Sequence, residues 1–268
     1  TCHLDQLTET NALYGAFCNP KGRIKTTFLL VKRSEESLLL LLSKEQCDYI
    51  CEQLQPYIAF FKSEISDVTD QFKIVGLIDG QANSDTANDF IVNCSNQVIE
   101  ITIPGTPQRK IILATEEFAT DTMALAGPYE WHETDINNGL VWIAAENREQ
   151  FLPHDINLPG LGGVSYDKGC YTGQEIVARM HYRGNPKYTT AVLVTDDKDA
   201  VFESPLKAVL AADKLKTIGH PISKAVSNSD RVLILASINK DLLEEHEIVL
   251  ANDSEKSILC NISKPFLG

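Results

Sequence analysis

An α+β fold closing in a C-terminal antiparallel β-barrel is what the sequence predicts, on three observations. Apolar residues recur at helical spacing between Cys47 and Phe61, in the midst of strand-length apolar runs. After Asn185-Pro186 the pattern changes to short apolar runs separated by polar turns. A composition of 43% apolar and 23% charged residues over 268 positions is that of a globular chain with one large and one smaller region. The expected division is residues 1–186 and 187–268.

The elements follow in order. Ala12 to Lys32 reads as a hairpin whose turn is Asn19-Pro20-Lys21-Gly22, because Pro presets the second turn position and Gly ends it. Leu38 to Leu42 reads as a third strand, buried on both faces. Ser43 followed by Gln46 is a capping-box signature, and Cys47, Ile50, Cys51, Leu54, Ile58 and Phe61 form the apolar face of a helix that Pro56 kinks or splits. Ile65 to Val68, Phe72 to Ile78, Val98 to Ile103 and Ile111 to Ala114 read as strands. Met123 to Gly139 is helical in its second half. Phe151 to Gly173 is so dense in Gly and Pro that it reads as a long ordered loop, and loops of that length in compact domains usually serve function. The barrel strands are Ala191 to Val194, Lys207 to Leu210, Val232 to Ala236, Ile248 to Leu250 and Ile258 to Ile262.

Unbroken apolar stretches such as Leu38 to Leu42 fall far short of the ~20 residues that cross a bilayer, so no membrane association is expected. Twenty-four Lys and Arg against 37 Asp and Glu give a net charge of -13, which repels phosphate backbones; no direct nucleic-acid contact is expected. Seven cysteines in a chain of this size fit free thiols in a reducing cytoplasm. The chain opens at Thr1 without a methionine, so a segment upstream is expected to be missing. Cys47 and Cys51 lie on an apolar helix face with no second ligand pair at metal spacing, and no metal is assigned. A monomer is expected.

The chemistry concentrates in Lys168-Gly169-Cys170-Tyr171-Thr172-Gly173-Gln174-Glu175. Thr172 and Glu175 form a capping box for a short helix through Ile176, Val177 and Met180, which puts Cys170 just before a helix N-terminus. The helix end and Lys168 both stabilise negative charge on sulfur. Cys170 is then a nucleophile, a sulfur carrier or a metal ligand, or else a small hydrophobe packed in a loop. His154 and His181 stand alone in the sequence and read as structural.

Leu161 to Asp167, the octapeptide that follows it and Ile176-Val177-Ala178-Arg179 together resemble the signature of the YgfZ family, folate-binding relatives of the glycine-cleavage T-protein tied to iron–sulfur cluster assembly and tRNA modification. Asn19-Pro20-Lys21-Gly22-Arg23, Phe151-Leu152-Pro153 with Asn157-Leu158, Trp131 with Asp135-Ile136 and Gly139, and the terminal β region are similar to further parts of that family. The resemblance implies a T-protein (GcvT)-like multi-lobe fold around a central hole holding tetrahydrofolate. It implies partners among iron–sulfur assembly proteins or cluster enzymes. Trp131 would wall the pterin, Asp135 would accept from the ring edge, Tyr171 would line the site, and Lys168, Arg179 and Arg183 would meet the glutamate tail. Cys170 and Lys168 are the reactive pair it implies.

One departure limits the activity. Aminomethyltransferases carry paired aspartates four and five residues after the hairpin Gly, where this chain has Thr26 and Thr27. A hydroxyl is no anionic base near neutral pH, so glycine-cleavage activity is not expected. Two readings stay open: a folate-binding accessory protein of iron–sulfur cluster assembly or repair, and a folate-dependent one-carbon transferase. In either, Cys170 is expected to alkylate fastest of the seven thiols, ahead of Cys47 and Cys51, and Lys168→Ala to slow it. Time-resolved iodoacetamide labelling read by mass spectrometry checks the order.

Overall fold

A computed structural model of the protein describes residues 1–79, 90–95, 98–115, 127–200, 202, 205–210, 214–227, 229–243, 247–251 and 257–266. Met123, in the segment expected to turn helical, lies outside them. Two β systems carry the chain: a seven-stranded antiparallel sheet and a closed six-stranded barrel. No helix among the described residues is long and apolar enough to cross a membrane.

The sheet begins with β1 (Asn11–Cys18) and β2 (Ile24–Ser34), the expected hairpin. Its turn is locked by Asn19, whose Oδ1 accepts the backbone N–H of Lys21 at 2.9 Å and of Arg23 at 3.0 Å. Gly22 closes the turn at φ 72°, a left-handed conformation that costs glycine little. Among the described residues β3 (Ser37–Leu41) pairs only with β2, so it lies at the edge of the sheet. The expectation of two buried faces fails there: Leu39 is buried while Leu38 is 53% exposed. With β4 (Lys73–Asp79), β5 (Phe90–Ser95), β6 (Val98–Ile103) and β7 (Gln108–Ala114), the strand order becomes β3-β2-β1-β5-β6-β7-β4. β5 escaped the sequence pattern because Asn93, Cys94 and Ser95, half of its length, face solvent. Ile65 to Val68, read as a strand, has no ladder partner among the described residues and runs as irregular chain.

Helix α1 (Cys47–Ile58) forms as the period requires, although only Ile50 of its apolar face is fully buried. Pro56 falls in its last turn, and Phe61 lies beyond the helix, 75% exposed. The Ser43–Gln46 capping box does not form. Gln46 is instead buried, donating to the Ile143 carbonyl at 2.9 Å and accepting from Arg148 Nε at 2.7 Å. A tertiary partner outcompetes the local cap.

Helix α2 (Pro128–Asn137) starts on Gly127, whose N–H is taken by the Glu130 carboxylate at 3.1 Å. It buries Thr134, Asp135 and Ile136 and packs on the barrel through β10 (Lys214–Val226) and β11 (Val232–Asn239). The other barrel strands are β8 (Tyr188–Thr195), β9 (Leu206–Leu210), β12 (Glu247–Ala251) and β13 (Ser257–Phe266), in the closed order β10-β11-β8-β13-β12-β9. β10 is the longest strand and was invisible to the pattern, because His220-Pro221 reads as a break. Register shifts between Thr217 and Gly219 and between Pro221 and Ser223 absorb the proline and bend the strand between its two neighbours.

Two cores result. Leu193, Ile218, Ile234, Ile248 and Cys260 fill the barrel. The larger core joins the sheet's Tyr14, Ile24, Leu29 and Ile101 to Ile136 of α2, to Phe151, and to Val192 and Leu235 on the barrel's outside. Each fully buried Ile or Leu contributes about 1.5–3 kcal/mol.

At Gly219 a Cβ would stand 1.9 Å from the Ser237 carbonyl oxygen, a backbone contact that cannot yield cheaply. Gly219→Ala is expected to cost about 2 kcal/mol or more in urea unfolding, while Gly169→Ala, with nothing within 4 Å of its Cβ, stays within about 0.5 kcal/mol.

Candidate functional site

The long loop is tied to β2 at its entry: Glu149 N–H donates to the Ile24 carbonyl at 2.8 Å, and Ile24 N–H to that of Phe151 at 2.9 Å. A short 3-10 turn, Pro153–Ile156, follows, with Asp155 accepting the Leu152 N–H at 2.8 Å. The chain then reaches helix α3 (Gln174–Arg183). Its N-cap is Gly173 at φ 85°, with no side-chain cap, so the Thr172–Glu175 capping box is corrected. The cause is packing. A Cβ on Gly173 would lie 2.5 Å from the Asn19 carbonyl oxygen and 2.8 Å from Gly22 Cα, so the signature loop and the first hairpin turn meet backbone on backbone. Two motifs far apart in sequence therefore share one site.

Cys170 is exposed on this loop, three residues before the N-cap and outside the turn over which a helix end acts. Lys168 Nζ donates to the Cys2 carbonyl at 2.5 Å and stands 4.8 Å above the Tyr171 ring, so its charge is shared with those groups. Exposure, which it shares with Cys94, therefore distinguishes Cys170 from the other five thiols more than the helix end does. Burial pushes the Cys47 and Cys51 thiols up, and also that of Cys94, which is exposed like Cys170. Tyr171 is half-buried, its phenol pushed up by burial with the nearby Cys18 adding to the shift.

Trp131 and Asp135 stand one turn apart on α2 and face the sheet. The indole lies against Gly76 of β4, where a Cβ would be 2.7 Å from the ring, and the Arg109 guanidinium of β7 sits 4.9 Å from its centroid. Trp131 keeps part of its surface open. Asp135 does not: it is 3% exposed and ion-paired to Arg109. Burial pushes its carboxyl up while Arg109 pulls it down. Its carboxylate is held by this cation, so Asp135 positions Arg109 beside the indole. Arg109 itself is fully buried, and its Nε and Nη2 have no partner among the described residues. Sequence reasoning missed Arg109, because the pattern reads as a strand only from Ile111 and as a turn before it, whereas β7 begins at Gln108.

Thr26 and Thr27 are both buried. Thr27 Oγ1 donates to the Val141 carbonyl at 2.6 Å and accepts the Ile143 N–H at 3.1 Å, so this hydroxyl clamps the chain that follows α2. Arg179 and Arg183 are exposed on α3.

His154 and His181, expected to stand alone, are brought together. Tyr166 stacks on His181 with centroids 3.8 Å apart, its hydroxyl lies 3.3 Å from His154 Nε2, and Tyr182 meets the His181 ring edge-on at 4.8 Å. No cluster of His, Cys, Asp and Glu suited to a metal ion occurs among the described residues. Burial, aided by the charge of His181, lowers His154 to about 4. Because the folded value lies below the ordinary 6.5, the unfolded chain binds the extra proton first. Stability is thus held above pH 6.5 and lost as pH falls toward 4. His154→Gln is expected to flatten that part of the melting temperature against pH.

The comparisons with known proteins follow the same lines. No family model matches the chain. It is 32% identical over 200 residues to a tRNA-modifying protein YgfZ from Colwellia psychrerythraea, an alignment covering 70% of this chain and 61% of that protein. It is 30% identical over 205 residues to a tRNA-modifying protein YgfZ from Hamiltonella defensa, covering 69% and 59%. The chain thus spans about three fifths of the length of the curated relatives it matches. Its fold is similar to the crystal structure of the glycine cleavage system aminomethyltransferase T from Bartonella henselae, at a TM-score of 0.67 and 14% identity, over 97% of this chain and 76% of that one. With the signature loop, the hairpin turn and the closed barrel in place, the chain is YgfZ-like in sequence and aminomethyltransferase T-like in fold.

Proposed function

We propose that the protein binds tetrahydrofolate and acts as an accessory factor in iron–sulfur cluster assembly or repair in the cytoplasm, and thereby in tRNA modification, with Cys170 as its reactive residue. The observation that carries the folate reading is the pairing of a partly open indole at Trp131 with Arg109, whose two buried N–H-bearing nitrogens have no partner among the described residues. A pterin needs a flat apolar wall and donors for its carbonyl oxygen, and these residues fit it. Asp135 holds Arg109 in place, Tyr171 and Lys168 flank Cys170, and Arg179 offers a peripheral cation. The relatives' description as tRNA-modifying proteins supports the cellular end of the reading. With a net charge of -13, the route to tRNA runs through cluster enzymes instead of direct contact.

The buried hydroxyl of Thr27, committed to two backbone partners, favours this over a one-carbon transferase, since no carboxylate base stands in its place. The test joins binding and function. Trp131→Ala is expected to weaken tetrahydrofolate binding by ~1–3 kcal/mol in calorimetry, and Cys170→Ala to fail in restoring cluster-dependent tRNA thiolation to a deletion strain that wild type rescues. Absence of any heat with saturating folate overturns the folate reading, and turnover of methylene-tetrahydrofolate would move the protein to the transferase class.

A further inference from the structure

A cleft of about 680 Å³ by the first hairpin turn, lined by Asn19, Lys21, Arg23, Glu149, Gln150 and His220, is polar throughout, and its Arg23 is bonded to the Gln150 carbonyl and stands 3.9 Å from Asp155. The cations around α3 are not engaged in this way. Val177 is the buried residue of that helix, and Arg179, Tyr182 and Arg183, at i, i+3 and i+4, share the opposite side and are exposed. Lys187, exposed beyond the helix end, accepts the Lys240 N–H on its carbonyl at 3.0 Å, which sets a further lysine beside it. Acids outnumber bases 37 to 24 in this chain, yet Arg179, Arg183, Lys187 and Lys240 form no ion pair among the described residues. The charges that add to burial in lowering His154 are those of His181 and Lys240, with no carboxylate among them. Arg183 suits the negative end of the helix dipole, but Arg179 lies mid-helix and Lys187 outside it, so the dipole does not explain the group.

Tyr182 gives this cationic face an apolar centre. It is 67% exposed, yet its ring is braced edge-on by His181 at 4.8 Å and by Tyr166 at 5.9 Å, and those two rings stack on each other. A rigid, exposed tyrosine rimmed by arginines has the composition of a protein–protein hot spot, and it surrenders little side-chain entropy on docking. A local excess of positive charge on a chain of net charge -13 selects an anionic partner.

Resting on the accessory reading, we propose that this face of α3 docks the protein that Cys170 serves, through a surface on which carboxylates surround an apolar recess. Arg179 and Arg183 present planar forks to the carboxylates, Lys187 and Lys240 extend the rim, and Tyr182 fills the recess. A nucleic acid fits less well, because a phosphate strand leaving these four cations runs on over a surface whose net charge repels it. Tyr182 stands about 12 Å along the helix axis from Gln174, and Cys170 precedes that residue in the signature loop. An interface of standard size, about 800 Å² on each partner, is wide enough to span both.

The experiment replaces Tyr182 by the photocrosslinker p-benzoylphenylalanine in the full chain, expressed in the deletion strain whose tRNA thiolation is followed. Irradiation is expected to join residue 182 to a protein segment that carries Asp or Glu beside apolar residues, with the yield falling about fivefold or more when Lys187→Glu is added. Without the crosslinker, Tyr182→Ala and Lys187→Glu are each expected to lower thiolation about fivefold or more, and Lys187→Arg to keep it, while the melting temperature and the rate of Cys170 alkylation stay those of wild type. If Tyr182→Ala lowers the melting temperature, Lys187→Glu, on exposed chain outside the helix, decides alone. Full thiolation in Lys187→Glu, no crosslink, a crosslink to RNA or to a segment without acids, or a yield indifferent to Lys187→Glu overturns the proposal. Full rescue by Cys170→Ala strikes the accessory role of that thiol instead, and the crosslink with its charge dependence judges the docking surface separately.

Discussion

The meeting of two glycine backbones, Gly22 in the first hairpin turn and Gly173 at the head of α3, is the constraint on which the rest of the site depends. At each position a side chain would have to occupy space already filled: Gly173 is closed in by Asn19 and Gly22, and Gly22 by Ile176, whose Cβ would be 3.1 Å away. Both residues also adopt left-handed backbone angles that other residues resist. This contact fixes where the signature loop ends, and with it the place of Lys168, Cys170 and Tyr171. The turn presents Lys21 and Arg23 to the polar cleft from the same few residues.

A second layer of order comes from buried polar groups that are used up by the fold. Thr27 binds both Val141 and Ile143, Tyr14 donates its hydroxyl to the Val141 carbonyl, and Gln46 reaches Ile143. Three elements thus grip the segment after α2. Leaving any of these backbone groups unpaired in the core would cost about 1–3 kcal/mol, so the segment has little freedom, and α2 carries Trp131 with it. Arg109 and Asp135 extend the network to β7. Their burial as a pair is costly, and such a pair specifies one arrangement more than it adds stability.

The sequence made much of this architecture legible. The hairpin, α1, α2, the signature loop and five of the six barrel strands follow from apolar period and turn chemistry, because those signals are local. Elements whose stability comes from partners were lost: β10 with its internal proline, the half-solvated β5, and the edge character of β3. Both predicted capping boxes failed for the same reason. Gln46 and Gly173 found tertiary contacts stronger than the local hydrogen bond each box offers.

By itself the sequence determined the fold class, the family likeness, the long loop that bears Cys170 and the absence of paired aspartates after the hairpin glycine, because each is a matter of residue identity and spacing. Only the tertiary structure decided that Asp135 is bound to Arg109, that His154 and His181 share an aromatic cluster, and that Lys21 and Arg23 face Gln150 and His220 across a cleft. These are contacts between residues remote in sequence. They arise when the sheet and barrel close a common core, and no local period records which side chains that closure brings together.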